Sequence, residues 1–428
     1  MKSLVARWWR NPFLALAGPL PPEVRFNFNV DLLGAICFGI FFAAAVSFVP
    51  VVLRRLGATE NMLAFYTTST YFGSFLSLFS LMFLRRFPTL PFALTTWTIG
   101  RGFFFATVFA TGPIGMLILT SCFWVAEGLP GPAYTQLMQR VYPANYRGRA
   151  MSAVRWGMAM SLVITTPLAG WALEIVGYQV VFPIAACLAL ASLVLFSRMR
   201  LAPGVSQSQP TLSMRRMFDI LHQDRRFSIY LLALTVFGLG GLAALPLYPI
   251  VQVSRLNLSY AFIGYLGLAQ SVTWMLGLTM WGRWLDRLGP MWLLRVCLLI
   301  NAVVPFTYAV AWSGWLLLPA FIAQGLVSGA FDLAILNASI QMAPSGRVIE
   351  YNALQTTIIG LRGMIGPWLG VLILAFGAPF AVVFVLAGVM MLASWVIVRR
   401  INVPRHQADE AAPVQEEPQP VLAVETLD

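Results

Sequence analysis

The feature that most limits what this chain can become is a succession of twelve long apolar runs, at residues 29–53, 61–83, 89–110, 113–140, 150–175, 178–198, 228–252, 260–283, 291–312, 314–342, 352–375 and 378–399. About twenty apolar residues is what a helix needs to cross the hydrocarbon of a bilayer. Hydrocarbon holds no water to satisfy backbone N–H and C=O groups, so such runs fold as helices that satisfy their own. The expectation is an all-α polytopic membrane protein with twelve transmembrane helices. Composition agrees: 59% of residues are hydrophobic and 10% charged, with a mean hydropathy of +0.77, outside the range of soluble domains.

The net charge of +12 would suit a nucleic-acid partner only if it were gathered in one patch. It is not. Of the 28 basic residues, Arg54, Arg55 and Arg255 lie in connections on one side, Arg101, Arg155, Arg295 and Arg362 lie within runs, and the others fall in the termini, the central linker and the connections on the other side. Basic residues concentrate in cytoplasmic loops. Both termini are therefore expected in the cytoplasm and the chain in the cell (inner) membrane, with the lipid bilayer as partner and no nucleic acid. Cys37, Cys122, Cys187 and Cys297 sit in separate apolar runs, which supports neither a disulfide framework nor a metal site. No cofactor is implied, and a monomer is expected.

The boundaries read as an interfacial N-terminal segment (1–27), a six-helix bundle (28–200), a cytoplasmic linker with an amphipathic helix (201–227), a second six-helix bundle (228–400) and a disordered cytoplasmic tail (401–428). The N-terminal segment begins basic, but Pro12 and Pro19 interrupt its apolar part and no good cleavage site follows, so it is not read as a signal peptide. In the linker, Met214, Met217, Phe218 and Leu221 recur at helical spacing opposite arginines, which suits a helix lying in the membrane interface.

The two bundles look duplicated. At a spacing of 200 residues Arg55-Leu56 recurs as Arg255-Leu256, Pro167 as Pro367, Gly170 as Gly370, Gly177 as Gly377 and Arg200 as Arg400. Between the eighth and ninth runs stands GLTMWGRWLDRLG, residues 277–289, with Gly282, Asp286, Arg287 and Gly289 in the form G-x-x-x-D-R-x-G. Glycines suit a short turn there, and its charges place it at the membrane surface. This motif, in this loop context, resembles the signature loop of the major facilitator superfamily, and the likeness covers roughly residues 28–400. The N-terminal equivalent, Leu84-Arg85-Arg86-Phe87-Pro88, lacks the carboxylate and the glycines, so a gate built on the motif would be asymmetric.

The resemblance implies two pseudo-symmetric six-helix bundles around a cavity lined by the first, fourth, seventh and tenth helices. It further implies that Asp286 sits against the fifth helix, near Tyr146-Arg147-Gly148-Arg149-Ala150-Met151, when the inner gate is shut. The fourth helix, with Glu127-Gly128-Leu129-Pro130-Gly131-Pro132, and the seventh, with Gly238, Gly240, Gly241, Pro246 and Pro249, are expected to be broken where they meet the pathway. Pro167, Gly170, Pro367 and Gly370 on the fifth and eleventh helices are expected to let helices approach closely. They match only part of the glycine-proline motif of the family's antiporters, since Thr166 stands where that motif has glycine.

Ionisable groups at membrane depth default to functional hypotheses. At 1.5 Å per residue Arg101 and Glu127 both lie roughly 20 Å from the cytoplasmic face, and Asp332 and Arg362 roughly 15 to 18 Å. Each pair is within reach of itself, as a structural ion pair or as a coupling site. Asp31, Arg155 and Arg295 lie nearer the surface, and Asp31 could partner Arg155. Tyr134, Tyr248, Gln270, Trp274, Gln324, Asn337 and Gln355 are the polar residues available to a cavity. Neither His222 nor His406 is in a run, so a histidine proton relay is excluded. The expected function is alternating-access transport of a small organic solute with a coupling proton, leaning to export. The alternatives are an uptake carrier or facilitator, and, in another class, a membrane scaffold or enzyme; no Walker loop, metal cluster or nucleophile constellation supports an enzyme.

Overall fold

The computed structural model describes residues 20–84, 87–201, 214–344 and 347–401. These are helical almost throughout. Eight helices are long and apolar enough to cross a membrane singly: α1 (Val24–Arg55), α5 (Tyr146–Val176), α6 (Tyr178–Ser197), α7 (Arg225–Arg255), α8 (Tyr260–Leu288), α9 (Pro290–Val310), α11 (Glu350–Ala375) and α12 (Phe380–Arg399). Two more pass as bent pairs: α4 (Pro113–Gly128 with Gly131–Val141, 44°) and α10 (Gly314–Ser328 with Phe331–Met342, 41°). The twelve are completed by α2 (Glu60–Leu84), interrupted by the polar stretch Tyr-Thr-Thr-Ser-Thr-Tyr, and α3 (Thr89–Ala106), which carries Arg101.

The duplication survives in the turns. Gly57 and Asn257, 200 residues apart, both take positive φ, and so do Gly177 and Gly377. Left-handed backbone is open to glycine and tolerated by asparagine. The same connection is therefore made twice. The first and seventh helices also match: each passes through a 3-10 turn, at Val46–Phe48 and Leu245–Leu247, before a terminal segment ending at Arg55 and Arg255.

Within the first half α1 packs against α5 and α6, and α4 against α2 and α3; within the second, α7 packs on α11 and α12, and α9 on α10 and α12. The two most extensive pairings between halves are α5 with α8 and α2 with α11, beside smaller ones of the α7 end with α1 and α2. The first two are images of each other under the 200-residue shift. The buried apolar residues fall into three groups. One contains residues of both halves, from Phe41 and Tyr66 to Tyr248 and Phe384. The others are confined to single halves, one around Phe28, Leu137 and Tyr142, the other around Phe227, Trp281 and Tyr351. The shared group lies toward the α1–α2, α5–α6 and α7–α8 connections, called here the far end. The separate groups lie toward the end that carries the linker. Two bundles thus share one core at the far end and part toward the linker end.

The linker helix (Met214–Gln223) rests on α7 and α11 of the second half with Ile220 fully buried. Asp224 then caps the next helix by accepting from the Phe227 N–H, and its other oxygen accepts from the Tyr351 hydroxyl at 3.0 Å. The expected N-terminal segment and tail fall largely outside the described residues.

The seventh helix leaves regular α-helix around Pro246 and Pro249, as expected, but not at its glycines, and a further break was not expected. Gly238, Gly240 and Gly241 do not interrupt α7, which is continuous helix from Arg225 to Ala244. They remove side chains where α11 and α12 press in: a Cβ on Gly238 would meet the Arg362 guanidinium, and one on Gly240 would meet Ala387 and Met390. The unexpected break is in α10 at Gly329, where a Cβ would stand 3.0–3.1 Å from the backbone of Gly277, Leu278 and Trp274 on α8.

Candidate functional site

The far end is sealed by residues from four helix ends. Arg54, closing α1, donates from Nε to Ser254 Oγ at 2.8 Å and from Nη1 to the Ala58 carbonyl at 2.8 Å. Arg55 donates to the Leu258 carbonyl at 2.8 Å, and its guanidinium lies 3.6 Å from the centre of the Tyr260 ring. Glu174, at the end of α5, accepts the Tyr260 N–H at 2.7 Å and stands 4.0 Å from Arg55. Beneath them Gly170 lies against Tyr260 and Gly264, while Thr166 fills the space left by Gly267. Side-chain cover at Gly170 and Gly264 would push α5 and α8 apart. These contacts join the halves. In the sequence Arg54, Arg55 and Arg255 stand out as the sparse charge of one face, and the recurrence of Arg55-Leu56 as Arg255-Leu256 is the signal that both helix ends are built alike.

Under the seal lies a cavity of about 300 Å³ lined from both halves. Phe42, Ser47, Tyr66, Thr67, Thr70 and Trp124 come from α1, α2 and α4, and face Tyr248, Gln252, Tyr308, Phe321 and Gln324 from α7, α9 and α10. Of the residues expected around a cavity, Tyr248 and Gln324 line it and the others do not. Tyr134 packs with Trp97 and Phe196 inside the first half. Gln355 is buried and accepts from the Tyr230 hydroxyl at 2.9 Å, and Asn337 donates to the Leu333 carbonyl of its own helix. Gln270 and Trp274 are half-buried on α8, where their carbonyls lie beside Gly325 and Gly329 of α10. Helical spacing located the faces but not which faces meet.

Arg101 and Glu127 meet. Nε lies 3.3 Å from Oε2 and Nη2 2.9 Å from Oε1, a two-pronged contact of the strong kind. Arg101 Nη1 also donates to Ser192 Oγ at 2.6 Å and the Ala189 carbonyl at 3.1 Å, with the Phe38 ring at 4.5 Å. This knot ties α1, α3, α4 and α6 together. Asp332 and Arg362 do not meet, contrary to the pairing their depths allow. Asp332 opens the segment after the α10 break and is exposed, with no hydrogen bond or ion pair among the described residues. Arg362 is buried and turned to α7, where it donates to the Leu234 carbonyl in the space beside Gly238; its Nε has no hydrogen-bond partner among the described residues. Depth along a helix does not set azimuth, and the two side chains leave their helices in different directions. Asp31 likewise accepts from the Tyr142 hydroxyl at 2.7 Å, while Arg155 is exposed.

The signature segment also departs from expectation. Gly282 is an ordinary helical residue with open space around it, and α8 continues through Asp286 and Arg287 to Leu288. Only Gly289, at φ +84°, makes the turn, with Pro290 starting α9. Asp286 is exposed and has no hydrogen bond or ion pair among the described residues, and on the fifth helix Arg147 donates to the Tyr142 and Gln139 carbonyls at the end of α4. The physical reason is the parting of the bundles at this end. Pro167 and Gly170 lie on the α5–α8 contact, whereas Gly370 lets α11 lie on the Ala243 carbonyl of α7 and Pro367 is an internal helix residue nearby. Among the described residues no cluster of His, Cys, Asp or Glu is arranged to hold a metal.

A family model described as Major Facilitator Superfamily matches residues 32–259 and again 230–427. No curated protein matches the chain. Solved structures of similar fold include a mutant of the nucleoside transporter NupG (TM-score 0.66, 11% identity, 88% of this chain and 99% of that one). Another is a bacterial homolog of the human lysosomal transporter Spinster in an inward-facing, unoccupied conformation (TM-score 0.61, 15% identity, 89% and 96%). A third is a mutant of the E. coli fucose:proton symporter FucP (TM-score 0.59, 12% identity, 89% and 99%). At these identities the likeness is one of fold.

Proposed function

The chain belongs to the major facilitator superfamily and is a multi-pass membrane transporter, not an enzyme; from that premise we propose that it moves a small organic solute by alternating access and stands here open toward the linker end. The observation that carries this reading is the arrangement of the core. One apolar group holds both bundles together above the cavity, and below it each bundle keeps its own. The side carrying the linker and most arginines is the cytoplasmic one by the positive-inside rule, which makes this the inward-open state of a protein in the cell membrane.

The coupling we propose is to protons, and Asp332 is its site. Gln324 lines the cavity, and an exposed stripe continues past it through Ser328, one turn on, and Asp332, just beyond the bend in α10. That stripe leads from the cavity toward the cytoplasm, and an unpaired carboxylate on it can take a proton without displacing a cation. Glu127 by contrast is held by Arg101 through both oxygens. The direction we propose is outward, with the proton entering.

The test is sided labelling. In a background lacking the four native cysteines, Thr166→Cys with Gly267→Cys places a disulfide across the far end, and Thr70→Cys reports from the cavity. With the cross-link formed, a membrane-impermeant maleimide is expected to reach the reporter from the cytoplasmic face alone; after reduction it is expected to reach it from both. Equal labelling from both faces with the cross-link intact refutes the reading.

A further inference from the structure

The cavity's hydrogen-bonding groups can be sorted by what each has left to offer. Ser47 donates to the Phe42 carbonyl, Thr67 to Leu63 and Thr70 to Thr67, all within their own helices. With its proton spent on the backbone, each hydroxyl can only accept from a solute. The phenols are the reverse. Tyr66 accepts from Trp124 Nε1 at 3.0 Å and Tyr308 accepts from Gln252 Nε2 at 2.6 Å, so both keep an O–H proton to give. Gln252 retains its carbonyl oxygen. The Gln324 amide makes no hydrogen bond among the described residues and offers both functions.

None of the lining residues is ionisable as an acid or base near neutral pH. Of the carboxylates at membrane depth, Glu127, one turn along α4 from Trp124, is paired with Arg101, and Asp332 lies outside the lining, beyond the bend in α10. A charged solute would surrender its hydration here and meet no opposite charge, which is strongly unfavourable. An uncharged one loses only hydrogen bonds the walls can replace. The apolar lining combines aliphatic residues and prolines, among them Val51, Leu63, Pro246 and Ile263, with two sets of rings, Phe42, Tyr66 and Trp124 on one bundle facing Tyr248, Tyr308 and Phe321 on the other. The second bundle's rings are held rigidly: Tyr248 lies 4.2 Å from Tyr308 and stacks on Phe384 at 5.7 Å, 9° from parallel. Opposed aromatic walls suit a flat or ring-shaped body. At about 30 Å³ per water the cavity has room for about ten waters.

We propose that the solute is an uncharged ring compound carrying both hydrogen-bond donors and acceptors, of about the size of a nucleoside or a hexose. Tyr66 and Tyr308 donate to its oxygens, the Ser47, Thr67 and Thr70 hydroxyls accept from its O–H or N–H groups, and the amides of Gln252 and Gln324 reach it from α7 and α10. This deepens the transport reading and rests on the cavity being the solute's site.

A thermal-shift experiment on the purified protein tests it, because a ligand that binds the folded state raises its melting temperature with concentration. The probes are matched pairs, uridine with uridine monophosphate and glucose with glucose 6-phosphate, together with tetraphenylphosphonium as a lipophilic cation. At least one uncharged member is expected to raise the melting temperature, and its phosphate ester and the cation are not. Tyr66→Phe and Gln324→Leu, which keep the walls' bulk, are expected each to weaken that binding by roughly 2- to 10-fold. A shift from a phosphate ester or the cation alone overturns the proposal, as does the absence of a shift from both uncharged members or binding indifferent to both substitutions. Alternating access is measured separately by the far-end cross-link, so sided labelling that behaves as expected beside a failed thermal shift removes the solute class and leaves the transport mechanism standing.

Discussion

Removing the carboxylate of Glu127 leaves Arg101 buried without a counter-charge, whereas removing that of Asp332 leaves nothing unpaired. A broken buried pair costs about 3–5 kcal/mol, and Glu127 keeps partial exposure, 17% of its side chain, so Glu127→Gln is expected to cost about 3 kcal/mol in unfolding free energy. Asp332→Asn is expected to change stability by no more than about 0.5 kcal/mol and to abolish pH-gradient-driven transport in proteoliposomes. A stable Glu127→Gln protein would show that the knot is not structural; an Asp332→Asn protein that still follows the pH gradient would remove Asp332 as the coupling site. At this scale the sequence was informative about depth and uninformative about direction. Arg101 and Glu127 sit at matching depths and meet. Asp332 and Arg362 sit at matching depths and do not, because the space beside Gly238 draws the guanidinium toward α7.

Among the elements, the fourth and tenth helices are the two that pass as bent pairs. α4 bends by 44° where Gly128, Pro130 and Gly131 stand together, and α10 bends by 41° at Gly329 without any proline at the break. The first was legible because proline lacks an N–H and clashes with the preceding turn. The second was not, because a lone glycine in a helix has many uses; here it lets α10 pass within touching distance of the α8 backbone. Gly329→Ala places a methyl 3.0–3.1 Å from that backbone, an overpacking expected to cost about 1–3 kcal/mol. Gly282→Ala, in open space on α8, is expected to stabilise slightly, since alanine is the better helix former. Chemical unfolding of the two variants side by side checks both signs, and equal effects would show that the α8–α10 approach is not tight.

For the molecule as a whole, the alternating-access reading proposed above makes the sealed far end and the parted linker end one of two states and assigns the Asp286 contact to the other. Asp286 is exposed here because its expected seat on the fifth helix lies across the opening. Closing that end would bring a carboxylate to a helix terminus beside Arg147 and Arg149, a contact of roughly 1–3 kcal/mol, enough to shift a two-state equilibrium about 5- to 150-fold. Asp286→Asn is accordingly expected to increase labelling of a cavity cysteine from the cytoplasmic side. Arg55→Ala, which removes the far-end contacts to Leu258 and Tyr260, is expected to decrease it. Unchanged labelling in both variants would mean that neither corner contributes to the equilibrium.

What the sequence determined by itself was the solvent the chain folds in, the twelve crossings, their duplication and the side on which charge gathers. Each of these follows from local properties, namely the length of an apolar run, the cost of an unsatisfied backbone group in hydrocarbon, and the recurrence of turn residues at a fixed spacing. Tertiary structure alone decided which faces of those helices look into the cavity, which buried charges find each other, and which end is shut. These depend on rotation of each helix about its axis and on the relative tilt of two bundles. A transporter's sequence must serve both of its states, so no local pattern along the chain could single out the one seen here.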